Sequence, residues 1–235
     1  MRSSDLIPIV FLPGFMSDAR LFRDQAEALS PDFSVQVASL GPADNIRDMA
    51  ARVIADLPQE AALVGASLGG MVAMEVLRRA PERVARLVLI ATDALSELPA
   101  VAAARDPMIS RAKAGRLDDA MAEAVPVDTL APGPSRAAAL DTLRKMARRA
   151  GPTGFAAQSR ALQRRPDQQG TLRRIAVPTL LICGAHDRIF ACRRHEVMAG
   201  LVPQAKLVTL EEAGHLPTLE CPHKVTEILA GWLDN

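Results

Sequence analysis

Short apolar runs at residues 7–12, 33–38, 61–66, 86–91, 179–183 and 206–210 recur along the chain, and segments of helical period at 21–29, 46–57 and 71–79 separate the first four. A run that is apolar throughout suits a strand buried on both faces, and strands that alternate with helices are joined by crossovers. The pattern therefore predicts an α/β fold: a mostly parallel sheet of about six strands with helices on both faces. At 235 residues the chain suits one domain with a large core.

Residues 95–174 have a different texture, in which alanine and arginine rise and no strand run occurs. Pro126, Pro132-Gly133-Pro134 and Gly151-Pro152 divide this stretch into about four helical pieces. Crossovers of such length are uncommon. The segment is read as a helical lid inserted over the sheet's carboxyl edge, in a core made of residues 1–94 and 175–235. Near the end, Pro222 marks a helix start, and Val225, Ile228, Leu229 and Trp232 follow at helical spacing as a core-facing stripe.

One strand-to-helix junction carries chemistry. Gly65-Ala66-Ser67-Leu68-Gly69 places a serine between two glycines where the third apolar run gives way to a helix. That is a nucleophile-elbow pattern, in which bulk two residues before or after the serine would collide. A serine hydroxyl needs a base within reach and a third group to orient that base. Of the four histidines, His215 follows the last apolar run in a glycine-containing loop and is the expected base. His186, His195 and His223 stand among charged residues and are expected at the surface. Asp187, after the fifth run, is favoured as the orienting acid over Asp93, which also fits a helix cap. For the developing oxyanion, the backbone N–H groups of Leu68 and Phe15 are the expected donors, with Met16 as second choice because Pro13 has none to give.

Composition narrows the class. Net charge is +1, aromatic residues make up 3% and tyrosine is absent, so neither nucleic acid nor an anionic membrane is an expected partner. No apolar run reaches the length of a membrane span, and the stretch 6–12 is short, contains Pro8 and lacks a cleavage-site pattern. The cysteines Cys183, Cys192 and Cys221 are odd in number without C-x-x-C spacing, which points to free thiols and a cytoplasmic location. Histidine spacing suited to a metal, a phosphate loop and a dinucleotide fingerprint are all missing, so neither metal nor cofactor is expected.

Three segments in order, 65–70, 177–187 and 213–220, resemble the α/β-hydrolase superfamily, in particular small-lid serine hydrolases similar to 3-oxoadipate enol-lactonases and pimeloyl-ester carboxylesterases. The resemblance implies Ser67 as nucleophile, Asp187 as acid, His215 as base, and Phe15 with Leu68 as oxyanion donors. Two departures stand out: Pro13-Gly14 replaces the family's usual His-Gly, and the glycine-rich segment after the second run is shortened to residues 39–44. Only six residues precede the first run, so the hairpin many relatives carry there is expected to be missing.

The expected reaction is hydrolysis of a small carboxylic ester, lactone or thioester through an acyl-enzyme. The alternatives are an acyltransferase or carbon–carbon bond hydrolase on the same residues, and a non-catalytic binding protein of this fold. The partner is a small acyl substrate, and the sequence does not set the oligomeric state. Met16, Met108, Met121, Met146, Phe155 and Leu162 are the expected apolar pocket wall. Arg160 and Arg164 lie one helical turn apart, where they would meet a substrate carboxylate or stand exposed.

Overall fold

The third apolar run shows why the sheet is central: all residues of β3 (Ala61–Ala66) are buried, as expected of a strand covered on both faces. In the computed structural model, which describes residues 7–234, it pairs in parallel with β1 (Ile9–Leu12) and β4 (Val84–Ile90). The other strands are β2 (Val35–Val37), β5 (Thr179–Gly184) and β6 (Lys206–Leu210), and the order is β2-β1-β3-β4-β5-β6, parallel throughout. Edge strand β2 is shorter than the apolar run predicting it, and β1 begins at Ile9. Residues 1–6, which include the start of the 6–12 stretch and the expected hairpin position, lie outside the described residues.

Parallel pairing brings the carboxyl ends of all strands to one edge. Leu12 is in register with Gly65, Ala66 with Ile90, and Gly184 with Leu210. The chain runs from β1 outward to β2 and then returns to the other side of β1 as β3. This reversal opens a crevice at the carboxyl edge between β1 and β3, where open α/β sheets bind ligands.

Helices α1 (Arg23–Leu29), α2 (Ile46–Asp56) and α3 (Leu68–Arg79) connect the first four strands. Helix α2 starts where the Asn45 side chain accepts the Asp48 N–H at 2.9 Å. Between β4 and β5 lie α4 (Pro99–Lys113), α5 (Leu117–Ala124), α6 (Ser135–Gln163) and α7 (Gln169–Leu172). Prolines 126, 132 and 134 separate α5 from α6. Gly151 bends α6 by adopting φ 68° and ψ −179°. Helix α8 (Cys192–Leu201) precedes β6, and α9 (Pro217–Glu220) and α10 (Pro222–Leu233) follow it. Val225, Leu229 and Trp232 of α10 are buried as their spacing predicts, whereas Ile228 of the same stripe is half-buried at its edge. No helix among the described residues is long and apolar enough to cross a membrane.

The two ends of the helical insertion are held by charge. Arg105 grips both oxygens of Glu97 at 2.6 and 2.8 Å, and Arg165 pairs with the same carboxylate. Arg165 also approaches Asp93 at 3.8 Å, and Arg194 of α8 bonds Asp93 directly. Asp93, Glu97 and Arg165 are buried, so each charge depends on the others to offset desolvation.

Candidate active site

Ser67 sits between β3 and α3 with φ 49° and ψ −115°, a conformation that non-glycine residues rarely hold and that costs on the order of 1–3 kcal/mol. Its surroundings enforce it. The Ser67 N–H donates to the Ile90 carbonyl at 2.9 Å, and the Thr92 hydroxyl donates to the Ser67 carbonyl at 2.6 Å. A Cβ on Gly65 would stand 2.6 Å from the Gly69 carbonyl oxygen, so the backbone closes to a distance only glycine allows. Leu68 follows as the first residue of α3, and its N–H belongs to the helix turn that lacks internal acceptors, at the positive end of the dipole.

The loop after β1 lies against the serine: a Cβ on Gly14 would be 3.3 Å from that of Ser67. Here the Met16 N–H donates to Gln158 Oε1 at 2.7 Å, so this second-choice donor is committed to the insertion. The Phe15 ring packs edge-on to Phe155, with centroids 5.4 Å apart.

From the loops after β5 and β6 come Asp187 and His215. Asp187 Oδ2 bonds His215 Nδ1 at 2.9 Å, while Oδ1 accepts the N–H groups of Ile189 at 2.8 Å and Phe190 at 3.0 Å. A carboxylate at Nδ1 fixes the proton there and leaves Nε2 as the basic nitrogen. Burial pushes the Asp187 carboxyl up, but the imidazole and the two backbone N–H groups together hold it below its ordinary value. The His215 ring also packs against Phe190, at 5.6 Å between centroids.

Ser67, His215 and Phe15 line one small cavity of about 20 Å³, closed by Val125, Leu143 and Leu216. Such a space holds about one water molecule. No direct hydrogen bond joins the Ser67 hydroxyl to His215 among the described residues; catalytic bonds of this kind are often long until substrate tightens the site.

The pocket wall differs from the one expected. Met16, Met108, Met146, Phe155 and Leu162 are buried in packing and do not line the cavity. Met146, for instance, accepts the Asp18 N–H through its sulfur at 3.3 Å. Arg160 pairs with Asp106 at 2.5 Å and Arg164 with Asp44 at 2.9 Å, so both are engaged on the surface. Met121 lines a neighbouring cavity of about 320 Å³, and Val125 and Leu143 stand in the wall between the two. Residue type suggested the methionines; which helix face meets the sheet decides otherwise.

Two histidines, His186 and His223, are exposed as expected, but His195 is completely buried. Its Nε2 accepts the Thr92 N–H at 3.1 Å, so it supports the elbow from behind, and burial lowers its pKa. The charges beside it in sequence concealed an inward pair, His195 and Met198, one turn apart on α8. Asp93 accepts the Leu95 N–H at 3.2 Å, the local capping that its sequence allows, and its charge is taken by Arg194 and Arg165.

Comparison with known proteins fits this arrangement. A pimeloyl-acyl-carrier-protein methyl ester esterase of Aromatoleum aromaticum is 33% identical over 187 residues, 72% of each chain. An esterase from Thermogutta terrifontis superposes with TM-score 0.87 at 28% identity, over 97% of this chain and 89% of that one. An enol-lactonase from Burkholderia xenovorans, at 22% identity, shares the fold with TM-score 0.83 over 100% and 94%. The model of the alpha/beta hydrolase family matches residues 9–228, nearly the whole described chain. The chain belongs to the alpha/beta hydrolase family and is a hydrolase.

Proposed function

We propose that this enzyme cleaves small carboxylic esters, lactones or thioesters through an acyl-enzyme on Ser67. The observation that carries the reading is the pairing of His215 Nδ1 with Asp187 at 2.9 Å beside a cavity that His215 shares with Ser67. In this scheme His215 Nε2 takes the hydroxyl proton as Ser67 Oγ attacks the acyl carbon. The N–H groups of Leu68 and Phe15 receive the oxyanion. The imidazolium then gives its proton to the leaving alcohol or thiol, and water, activated by the same imidazole, releases the acid. The similarity to relatives named as esterases supports carboxylic esters as the substrate class. The insertion 95–174 acts as the lid, since Val125 and Leu143 reach from it into the cavity.

The test is labelling by a fluorophosphonate together with turnover of p-nitrophenyl esters of graded chain length. Wild type is expected to label and to prefer short acyl groups; Ser67→Ala loses the label and lowers kcat by about three orders of magnitude or more. Labelling that persists in Ser67→Ala rejects the nucleophile. Turnover that needs an added acyl acceptor would favour a transferase.

The partition between the cavities yields a separate prediction. Leu143→Ala removes half of the wall and joins the site to the larger apolar space. The preference for a hexanoyl over an acetyl ester, measured as the ratio of kcat/KM values, is expected to rise about tenfold or more. An unchanged ratio would mean that the acyl chain runs elsewhere.

A further inference from the structure

We propose that Glu220 is a positioning residue that pins the loop of His215 to the lid, so that the insertion as well as the sheet sets the base. This rests on the reading of His215 as base. Glu220, on α9, is 5% exposed, and its carboxylate accepts three backbone N–H groups. Oε2 takes Ala131 at 2.7 Å and Gly214 at 3.0 Å; Oε1 takes Leu216 at 2.8 Å. Gly214 and Leu216 flank His215, while Ala131 belongs to the insertion. One side chain thus holds both peptide units around the imidazole and the lid segment above them.

Independent contacts tie the same pieces. The His215 N–H donates to the Thr129 carbonyl at 2.8 Å. A Cβ on Gly214 would stand 2.2 Å from the Thr129 carbonyl oxygen and 2.6 Å from Leu130 Cα, so the lid segment presses directly on the loop. The Arg136 guanidinium secures that segment by donating to the Leu130 and Ala131 carbonyls, each at 2.9 Å.

The donor set suits an anion: three N–H groups converge on two oxygens, and among the described residues no arginine or lysine pairs with the Glu220 carboxylate. Burial raises the Glu220 carboxyl above its ordinary value, against the pull of those N–H groups and of the nearby imidazole. Around His215 the titratable groups are Asp187 on the loop after β5, His195 on α8 and Glu220 on α9, with Cys221 adjoining Glu220. A second carboxylate near the imidazole stabilises the imidazolium that forms during proton transfer.

Glu220→Gln keeps the shape but sets an NH2 group against backbone donors and removes the charge. The rates of fluorophosphonate labelling and of short-ester turnover are expected to fall on the order of ten- to a hundredfold, with KM changed by less than about twofold. Glu220→Asp keeps the charge but loses reach, so it too lowers kcat with KM nearly unchanged. A folded Glu220→Gln chain with wild-type labelling rate and turnover, or one whose loss lies in KM alone, overturns the proposal. Should that chain not fold, Ala131→Pro deletes the N–H offered by the lid and sets a ring carbon against the Glu220 carboxylate, which breaks the pin from the other side; Leu130 already has the extended backbone a following proline requires, φ −103° and ψ 148°. Loss of kcat with KM nearly unchanged is then expected, and full activity overturns the pin. A wild-type chain that never labels would fail the assignment of Ser67 and His215 instead.

Discussion

On the proposed mechanism, Asp187→Asn is expected to lower kcat by about four orders of magnitude, as asparagine does in place of a serine protease's triad aspartate, while the chain still folds. The reason lies in how the carboxylate is held. Its Oδ1 is fixed by the N–H groups of Ile189 and Phe190, so an asparagine would keep its carbonyl oxygen there and turn its NH2 toward His215 Nδ1. The imidazole then has to accept at Nδ1 and carry its proton on Nε2, the tautomer that cannot act as base. Turnover of a short p-nitrophenyl ester and the rate of fluorophosphonate labelling measure the effect; a loss under about tenfold would show that Asp187 does not orient the base.

The same substitution changes stability against pH. The folded-state pKa of Asp187 lies below its ordinary value, so the folded state binds this proton less readily than the unfolded chain does. Its contribution is fully present above the unfolded pKa of about 3.9 and is lost as pH falls through the folded value. Thermal melts in that acid window should therefore be flatter for Asp187→Asn than for wild type.

Gly69→Ala is expected to prevent folding or to cost more than about 4 kcal/mol. Its Cβ would lie 2.0 Å from the Leu12 carbonyl oxygen, 2.5 Å from the Leu12 carbonyl carbon and 2.6 Å from the Pro13 carbonyl oxygen. All three are backbone atoms at the end of β1, which is hydrogen-bonded to β2 and β3 and cannot retreat. A soluble fraction should be inactive, since any shift of residues 12–13 displaces Phe15. Gly200→Ala in α8 is the control: nothing stands within 4 Å of its added Cβ, and helix propensity predicts a gain of about 0.5–1 kcal/mol. Melting temperatures of the two variants test the pair, and a Gly69→Ala protein as stable as wild type would contradict the crowding.

What the sequence disclosed follows from where its constraints are local. Strands β3 and β6 match their apolar runs because a central parallel strand must be apolar along its length and the turns around β6 bound it closely. The Ser67 elbow is legible because its steric demand falls on glycines two positions away. The approach of His215 to Asp187 is foreseeable from topology, since adjacent parallel strands deliver their following loops to the same edge. Val125 and Leu143 were missed because the packing angle of the insertion's helices, rather than any short pattern, selects which side chains reach the cavity. Burial of His195 was obscured by Arg193, Arg194 and Glu196, whose charges dominate a short window. Glu220 closes the 213–220 segment that carries the resemblance, yet its role was not legible, because its partners are backbone N–H groups that every non-proline residue carries.

The buried ions where the insertion leaves and rejoins the sheet have an evolutionary corollary. Asp93 and Glu97 stand at the exit and Arg165 at the return, so the two feet of the loop are clasped to one another. Between the clasped ends the span is held to the core again at Gln158 on Met16 and at residues 129–131 on the loop after β6. Lineages can lengthen or resurface the rest of that span as long as the feet and those two attachments are kept.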